Sequence, residues 1–272
     1  MVSMLIAAAL AAAAPAVAAP PPSPPPVEQA QPAMFMVRDA DTTIYLFGTF
    51  HALDRRTQWF NPGVRGAFEN SNELVLETLI PEGPAVTISG RPGLPIRAPS
   101  VTPSASFLAT TKMAIDAGQA QGMEVANGAD MVLRHIAESE GKPVEGLETL
   151  EFQLNMFNSL PPASPPKSAP APAQTPAAPM NDLSKTMIDM ESAWKRGDQS
   201  VFVRMLDQLR TASPETYRMM FTERNARWAD WIAARLRTPG TVFIAVGAGH
   251  LAGTDSVLVR LAEKGLPSSR VE

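Results

Sequence analysis

The chain contains no cysteine. Disulfide staples and thiolate metal sites are therefore excluded, and so is a lipid anchor on an N-terminal cysteine. Histidine is nearly as scarce. His51, His135 and His250 are the only three, so any metal site must be built from these and from carboxylates. Positive charge is not in excess either. The formal net charge is −4, which removes the basic footprint needed for nucleic acid as a partner. Finally, no Lys or Arg precedes the apolar N-terminal run "MVSMLIAAALAAAAPAVAA".

That run is short for a membrane-spanning helix, which needs about 20 apolar residues, and an uncleaved membrane anchor is the alternative reading. The run fits the apolar region of an export signal, with Ala16-Val17-Ala18 as small residues at cleavage spacing. Residues 1–18 thus read as a signal peptide and residues 19–33 as a Pro-rich tether. The expected localisation is periplasmic or secreted, with no stable membrane span after cleavage. Proline, by contrast, is abundant, with 27 in the chain. A second cluster, "LPPASPPKSAPAPAQTPAAPMN" over 160–181, lacks donors for regular structure and reads as a disordered insert.

Between these tracts the apolar pattern alternates between strand and helix. "MFMVR" (34–38) and "TIYLF" (43–47), joined through Asp39-Ala40-Asp41, predict a β-hairpin. "VRGAFENS" (64–71) predicts a short helix, "ELVLE" (73–77) a strand, and residues 81–104 a long loop. Two helices follow, the second stopped at Gly141 before Lys142-Pro143. "PVEGLE" (143–148) is a short strand. Helices are expected over 150–160, 181–198, 199–211 and 214–237. "TVFIAV" (241–246) is the most apolar strand, and 255–265 a last helix ended by Gly265. This order predicts an α/β domain over 34–272: a sheet with parallel strands, an N-terminal hairpin, and a mainly helical middle lobe over about 105–237.

Two of the three histidines share one local frame. Strand 43–47 runs into Gly48-Thr49-Phe50-His51, and strand 241–246 into Gly247-Ala248-Gly249-His250. Two other strands end in Glu77 and Glu148. Ligands of α/β sheets bind beyond the carboxyl ends of the strands, so four ionisable groups fall where a site is built. One Gly-x-x-His is a weak signal. Two, each after an apolar strand, in a chain with three histidines, are much stronger. The turn glycines Gly48, Gly247 and Gly249 are expected to allow a tight turn that aims each imidazole over the sheet edge. Two imidazoles and a carboxylate are a common ligand set for a catalytic divalent ion. His135 lies in an ordinary amphipathic helix and is read as structural.

Helix 214–237 carries Tyr217, Phe221, Trp228, Trp231 and Ile232 on one stripe. Arg224 falls inside that stripe, with Asn225 at its edge. A guanidinium directed inward needs an anion; Glu77, Glu148 or a substrate group would serve. Trp228 and Trp231 read as core.

The blocks "TTIYLFGTFHAL", "SNELVLET", "GKPVEGLETLEFQL", "FTERNARWADWI" and "VFIAVGAGHLAGTDSVLVRLAEKG" resemble those of the TraB/GumN family, also called TraB/PrgY/GumN. The resemblance covers most of 34–271 apart from the Pro-rich insert. It implies a core related to the erythromycin-esterase and ChaN-like fold. It also implies kinship with the Tiki proteins, which are divalent-metal-dependent proteases. Carried over, the active centre comprises His51, His250 and Glu77, with Arg224-Asn225 matching the family's Arg-Asn pair and Glu148 its "gLEt" block. The expected activity is that of an exported metal-dependent hydrolase, a metalloprotease or peptidase. His51, Glu77 and His250 would hold Mn, Co or Zn, Glu77 or Glu148 would act as base, and Arg224 would stabilise an oxyanion. The substrate is a peptide or small molecule. Two alternatives stand beside it: a non-catalytic haem- or metal-binding or polysaccharide-export protein of the same fold, and a metal-free esterase-like hydrolase using the two histidines as acid and base.

Overall fold

A computed structural model describes residues 29–79, 105–161 and 178–271. The expected loop over 81–104, the signal and most of the tether lie outside the described residues, as does the body of the Pro-rich insert.

The fold is α/β. Six strands form one sheet: β1 (Met34–Arg38), β2 (Thr42–Thr49), β4 (Glu73–Thr78), β6 (Val144–Glu148), β7 (Gly240–Gly247) and β8 (Ser269–Val271). Their order across the sheet is β6-β4-β7-β2-β1-β8. The strands β6, β4, β7 and β2 run parallel, while β1 is antiparallel to both β2 and β8. The β1–β2 hairpin closes on Asp39, whose carboxylate accepts the amides of Asp41 and Thr42 at 3.2 and 2.9 Å, a side-chain turn of the Asx kind. A separate two-stranded ribbon joins β3 (Leu53–Asp54) to β5 (Met123–Glu124). Neither short strand has enough residues to carry an alternation pattern in sequence.

The sheet feeds two cores. Phe47, Leu74, Leu76, Phe243 and Ala245 pack against α1 (Pro62–Glu69), α3 (Ala129–Ser139), α5 (Ala178–Lys195) and α6 (Ser200–Ala212). Ile44, Leu46, Val75, Val242, Ile244 and Val246 pack against α8 (Glu223–Arg235) and α9 (Val257–Glu263). A parallel strand covered on both faces reads as a continuous apolar run, which is why β7 is the most apolar strand.

Two helices differ from their sequence reading. α5 begins at Ala178, so the last residues assigned to the Pro-rich insert are helical. Pro179 falls in the first turn of that helix, where a missing N–H costs nothing. The helix expected over 214–237 is divided into α7 (Pro214–Tyr217), a π-helical segment Arg218–Thr222, and α8. The remaining helices are α2 (Ala105–Gln119) and α4 (Leu150–Asn158). Gly141 and Gly265 follow their helices with φ of 69° and 76°, the left-handed stop that favours glycine.

Candidate functional site

The carboxyl ends of β6, β4, β7 and β2 lie side by side, and each delivers one group. Glu148 ends β6, Glu77 is the penultimate residue of β4, His250 sits in the 3-10 turn Ala248–Leu251 after β7, and His51 follows β2. From the other side, α8 contributes Arg224, Asn225 and Trp228, all buried.

Arg224 is the centre of the network. Its side chain is 3% exposed. Nε donates to both oxygens of Glu148 at 3.0 Å. Nη2 donates to Glu77 Oε2 at 2.9 Å and is equally close to Glu148 Oε2. Nη1 donates to the Met220 carbonyl at 3.3 Å and faces His250 Nε2 at 3.2 Å. The guanidinium also lies over the Trp228 ring, 4.6 Å from its centroid, a cation–π contact. The inward cation thus meets both carboxylates. Glu148 also accepts from Trp228 Nε1 at 3.1 Å and from Arg227 at 3.4 Å. With this many donors it serves as the counter-ion of Arg224.

The hydrogen bonds fix the tautomer of His250. Asn225 Nδ2 donates to the Asp255 carbonyl at 2.8 Å, so Asn225 Oδ1 is the acceptor for His250 Nδ1–H at 2.6 Å. Nε2 therefore carries the lone pair, pointing at Arg224 and, 3.8 Å away, at Glu77 Oε1. The ring is held between Phe221 and Trp228, with centroids 4.8 and 4.4 Å away. Burial, with Arg224 beside it, pushes its pKa down to about 3, so the imidazole is neutral.

His51 is arranged in the same way by a different partner. Its Nδ1 lies 3.1 Å from Asp130 Oδ2. Its outer side is open, the side chain being 57% exposed. Burial of the inner side works against its proton, but Asp130, through charge and hydrogen bond, and then Glu77 outweigh it and lift the pKa to about 9. Glu77 accepts the Gly247 amide on Oε1 at 2.6 Å. Burial would raise its pKa, yet the neighbouring His250, Arg224 and His51, with the Gly247 amide, hold it at about 2.

Gly247 shows where these groups converge. A Cβ on it would stand 3.1 Å from Glu77 Oε1, 3.1 Å from His51 Nε2 and 3.8 Å from His250 Cδ2. The space a methyl group would take is thus ringed by the two imidazoles and the carboxylate. The turn glycines Gly48, Gly247 and Gly249 do not adopt left-handed φ angles. What the turn requires of them is a missing side chain: a Cβ on Gly48 would meet the Ala248 backbone at 3.2 Å, and one on Gly249 the Phe221 ring at 3.3 Å.

A family model for TraB/PrgY/gumN proteins matches residues 33–89 and 88–270. The chain belongs to the TraB/PrgY/gumN family. No curated protein and no solved structure matches it. In this TraB/PrgY/gumN chain the candidate groups His51, Glu77, Glu148, Arg224, Asn225 and His250 all meet at one sheet edge, and His135 lies apart, exposed on α3.

Asp130 and Asp255 belong to the same network and are not singled out by the sequence pattern. Asp255 accepts from Tyr217 at 3.0 Å and, through its carbonyl, holds Asn225. Asp130 stands in the first turn of α3, after Gly128, where a Cβ would collide with the His51 carbonyl. A Gly-x-Asp at a helix start is the one signal that could have found it.

Metal-ligating histidines are held through their other nitrogen by an oxygen acceptor, and Asp130 and Asn225 do this for His51 and His250. Among the described residues no three His, Asp or Glu side chains are drawn close enough together to hold an ion as they stand. In addition, Arg224 Nη1 lies 3.2 Å from His250 Nε2 and caps its lone pair.

Proposed function

We propose that the protein is a metal-dependent hydrolase acting on peptides. The observation that carries this reading is the pairing of two imidazoles around Gly247, each held through Nδ1 by an oxygen, with the ionised Glu77 against the same point. His51 Nε2, Glu77 and His250 Nε2 would hold a divalent ion of the Mn, Co or Zn class. Such an ion polarises a scissile carbonyl and makes water a nucleophile near neutral pH. The chain's own residues supply the rest. Asp130 and Asn225 fix the two rings. Trp228 and Phe221 keep water from the back of His250. Arg224, anchored by Glu148, presents a fixed positive charge where an oxyanion develops, and a preorganised charge in a buried site is worth far more than one in water. The export reading of residues 1–18 makes the periplasm or the medium the place of action, and N-terminal sequencing of the recovered protein checks it.

One contact favours a second reading. Arg224 Nη1 on His250 Nε2 and the Asp130–His51 pair suit a metal-free hydrolase in which the two histidines act as acid and base. Peptide hydrolysis by purified protein, before and after chelation and with Mn, Co or Zn restored, separates the two. Loss on chelation with recovery on metal addition supports the first reading. Chelator-indifferent hydrolysis supports the second. Bound metal or haem without turnover supports a binding protein.

A further inference from the structure

Asp255 lies between the 3-10 turn Ala248–Leu251 and α9, outside the constellation at the strand ends. Two residues of one helical stretch nevertheless reach it. Tyr217, buried at the end of α7, donates its hydroxyl to Asp255 Oδ2 at 3.0 Å. Asn225, buried in α8, donates Nδ2 to the Asp255 carbonyl at 2.8 Å. Arg260 on α9 donates to the other carboxylate oxygen, so the loop is pinned from both sides.

An uninterrupted α-helix would not deliver both side chains. At about 100° per residue, residues eight apart stand about 80° apart around the axis. Between Tyr217 and Asn225, however, lies the π-helical segment Arg218–Thr222, closed by the Glu223 amide on the Arg218 carbonyl. A π turn takes up one extra residue. The pair therefore completes close to two whole turns and comes within about 20° of one face. The extra residue turns Tyr217 and Asn225 together onto Asp255.

Asn225 passes the constraint to His250. Its Oδ1 accepts His250 Nδ1–H at 2.6 Å. The amide keeps that orientation because the Asp255 carbonyl only accepts, and so takes the Nδ2 end. On the opposite side of the ring, Arg224 Nη1 faces the Nε2 lone pair. A ligand on that lone pair takes the place of Arg224, which leaves Asn225 to orient the imidazole.

We propose that Tyr217 and Asp255 are positioning residues for His250, acting through Asn225 across the π-helical segment. This rests on the metal-dependent reading only for what occupies Nε2; the hold on the ring belongs to the metal-free protein.

The test follows the His250 Nδ1–H signal of metal-free, isotope-labelled protein by NMR, with its rate of exchange into water. Wild type is expected to give one slowly exchanging signal. Tyr217→Phe should speed exchange about three- to tenfold, the worth of one hydrogen bond, and Asp255→Ala at least as much. The double variant should exchange no faster than Asp255→Ala, because both changes remove the same contact. Deleting Met219, inside the π-helical segment, should release the signal as Tyr217→Phe does; the point variants decide if that chain does not fold. Arg235→Ala loses the bond to Glu73 at the far end of α8 and controls for general destabilisation, leaving the signal unmoved. Wild-type exchange in Tyr217→Phe and Asp255→Ala, or equal release by Arg235→Ala, overturns the positioning role. Calorimetric titration with Zn should show the same variants binding about three- to tenfold more weakly, and unchanged affinity in a variant that releases the signal also counts against it. If wild type takes up no Zn while the exchange pattern holds, the positioning role stands and the metal-dependent reading falls instead.

Discussion

Removing the guanidinium of Arg224 should cost the fold more than any other single substitution in the site. Arg224→Ala leaves Glu148, 3% exposed, with Trp228 Nε1 at 3.1 Å and the half-exposed Arg227 at 3.4 Å as its remaining donors. Glu77, 14% exposed, retains the Gly247 amide. Stripping one partner from a buried ion pair costs about 3–5 kcal/mol, because the orphaned charge stays buried. That is a large share of the roughly 5–15 kcal/mol by which domains are stable. Arg224→Lys keeps the charge but not the fork that reaches Glu148, Glu77 and His250 at once, so its loss should be intermediate. Adding Glu148→Gln to Arg224→Ala removes one orphaned charge, so the double variant should be more stable than the sum of the single losses, a coupling of about 1–3 kcal/mol. Urea unfolding at about pH 7.5, followed by circular dichroism, measures wild type and these variants together with Glu148→Gln alone. A loss below about 1 kcal/mol for Arg224→Ala, or strict additivity with Glu148→Gln, would refute the buried network.

Gly247→Ala should leave the backbone undisturbed, since its φ of −53° and ψ of 137° suit alanine. Its methyl group would press on Glu77 and His51 at 3.1 Å, costing about 1–3 kcal/mol by overpacking and abolishing metal binding in a calorimetric titration; wild-type metal affinity would contradict this. Stability of the metal-free protein should fall in acid. His250 has its pKa lowered from 6.5 to about 3, so its contribution is complete above pH 6.5 and disappears toward pH 3. Glu77, lowered from 4.5 to about 2, adds a second loss between those values. His51 acts in the opposite sense: raised from 6.5 to about 9, it contributes below pH 6.5 and loses that contribution as pH rises to 9. Thermal melts across the range from pH 3 to 9 set by these groups should therefore show a steep acid limb, which His250→Gln flattens; an unchanged limb in that variant would count against a neutral buried His250.

Much of this was legible in the sequence because the groups sit at strand ends. Apolar runs with clear stops placed β2, β4, β6 and β7, and the residues at or just after their ends were His51, Glu77, Glu148 and His250. Arg224 was visible as a cation on an apolar stripe. Asp130 was not, because its partner His51 is distant in the chain and nothing in a helix start says what lies opposite. The reason for the glycines was also hidden: it is a close approach between chain segments, which only the packed structure displays. The π-helical segment Arg218–Thr222 leaves no mark on an apolar periodicity that continues through it. β3 and β5, two residues each, owe their pairing to tertiary placement.

Metal content by mass spectrometry for wild type, His51→Ala, His250→Ala and His135→Ala, measured side by side on folded protein, tests the joint-ligand assignment most directly. About one Mn, Co or Zn ion per chain is expected in wild type and His135→Ala, and none in the other two. Retention of metal by His250→Ala, with loss in His135→Ala, would contradict it.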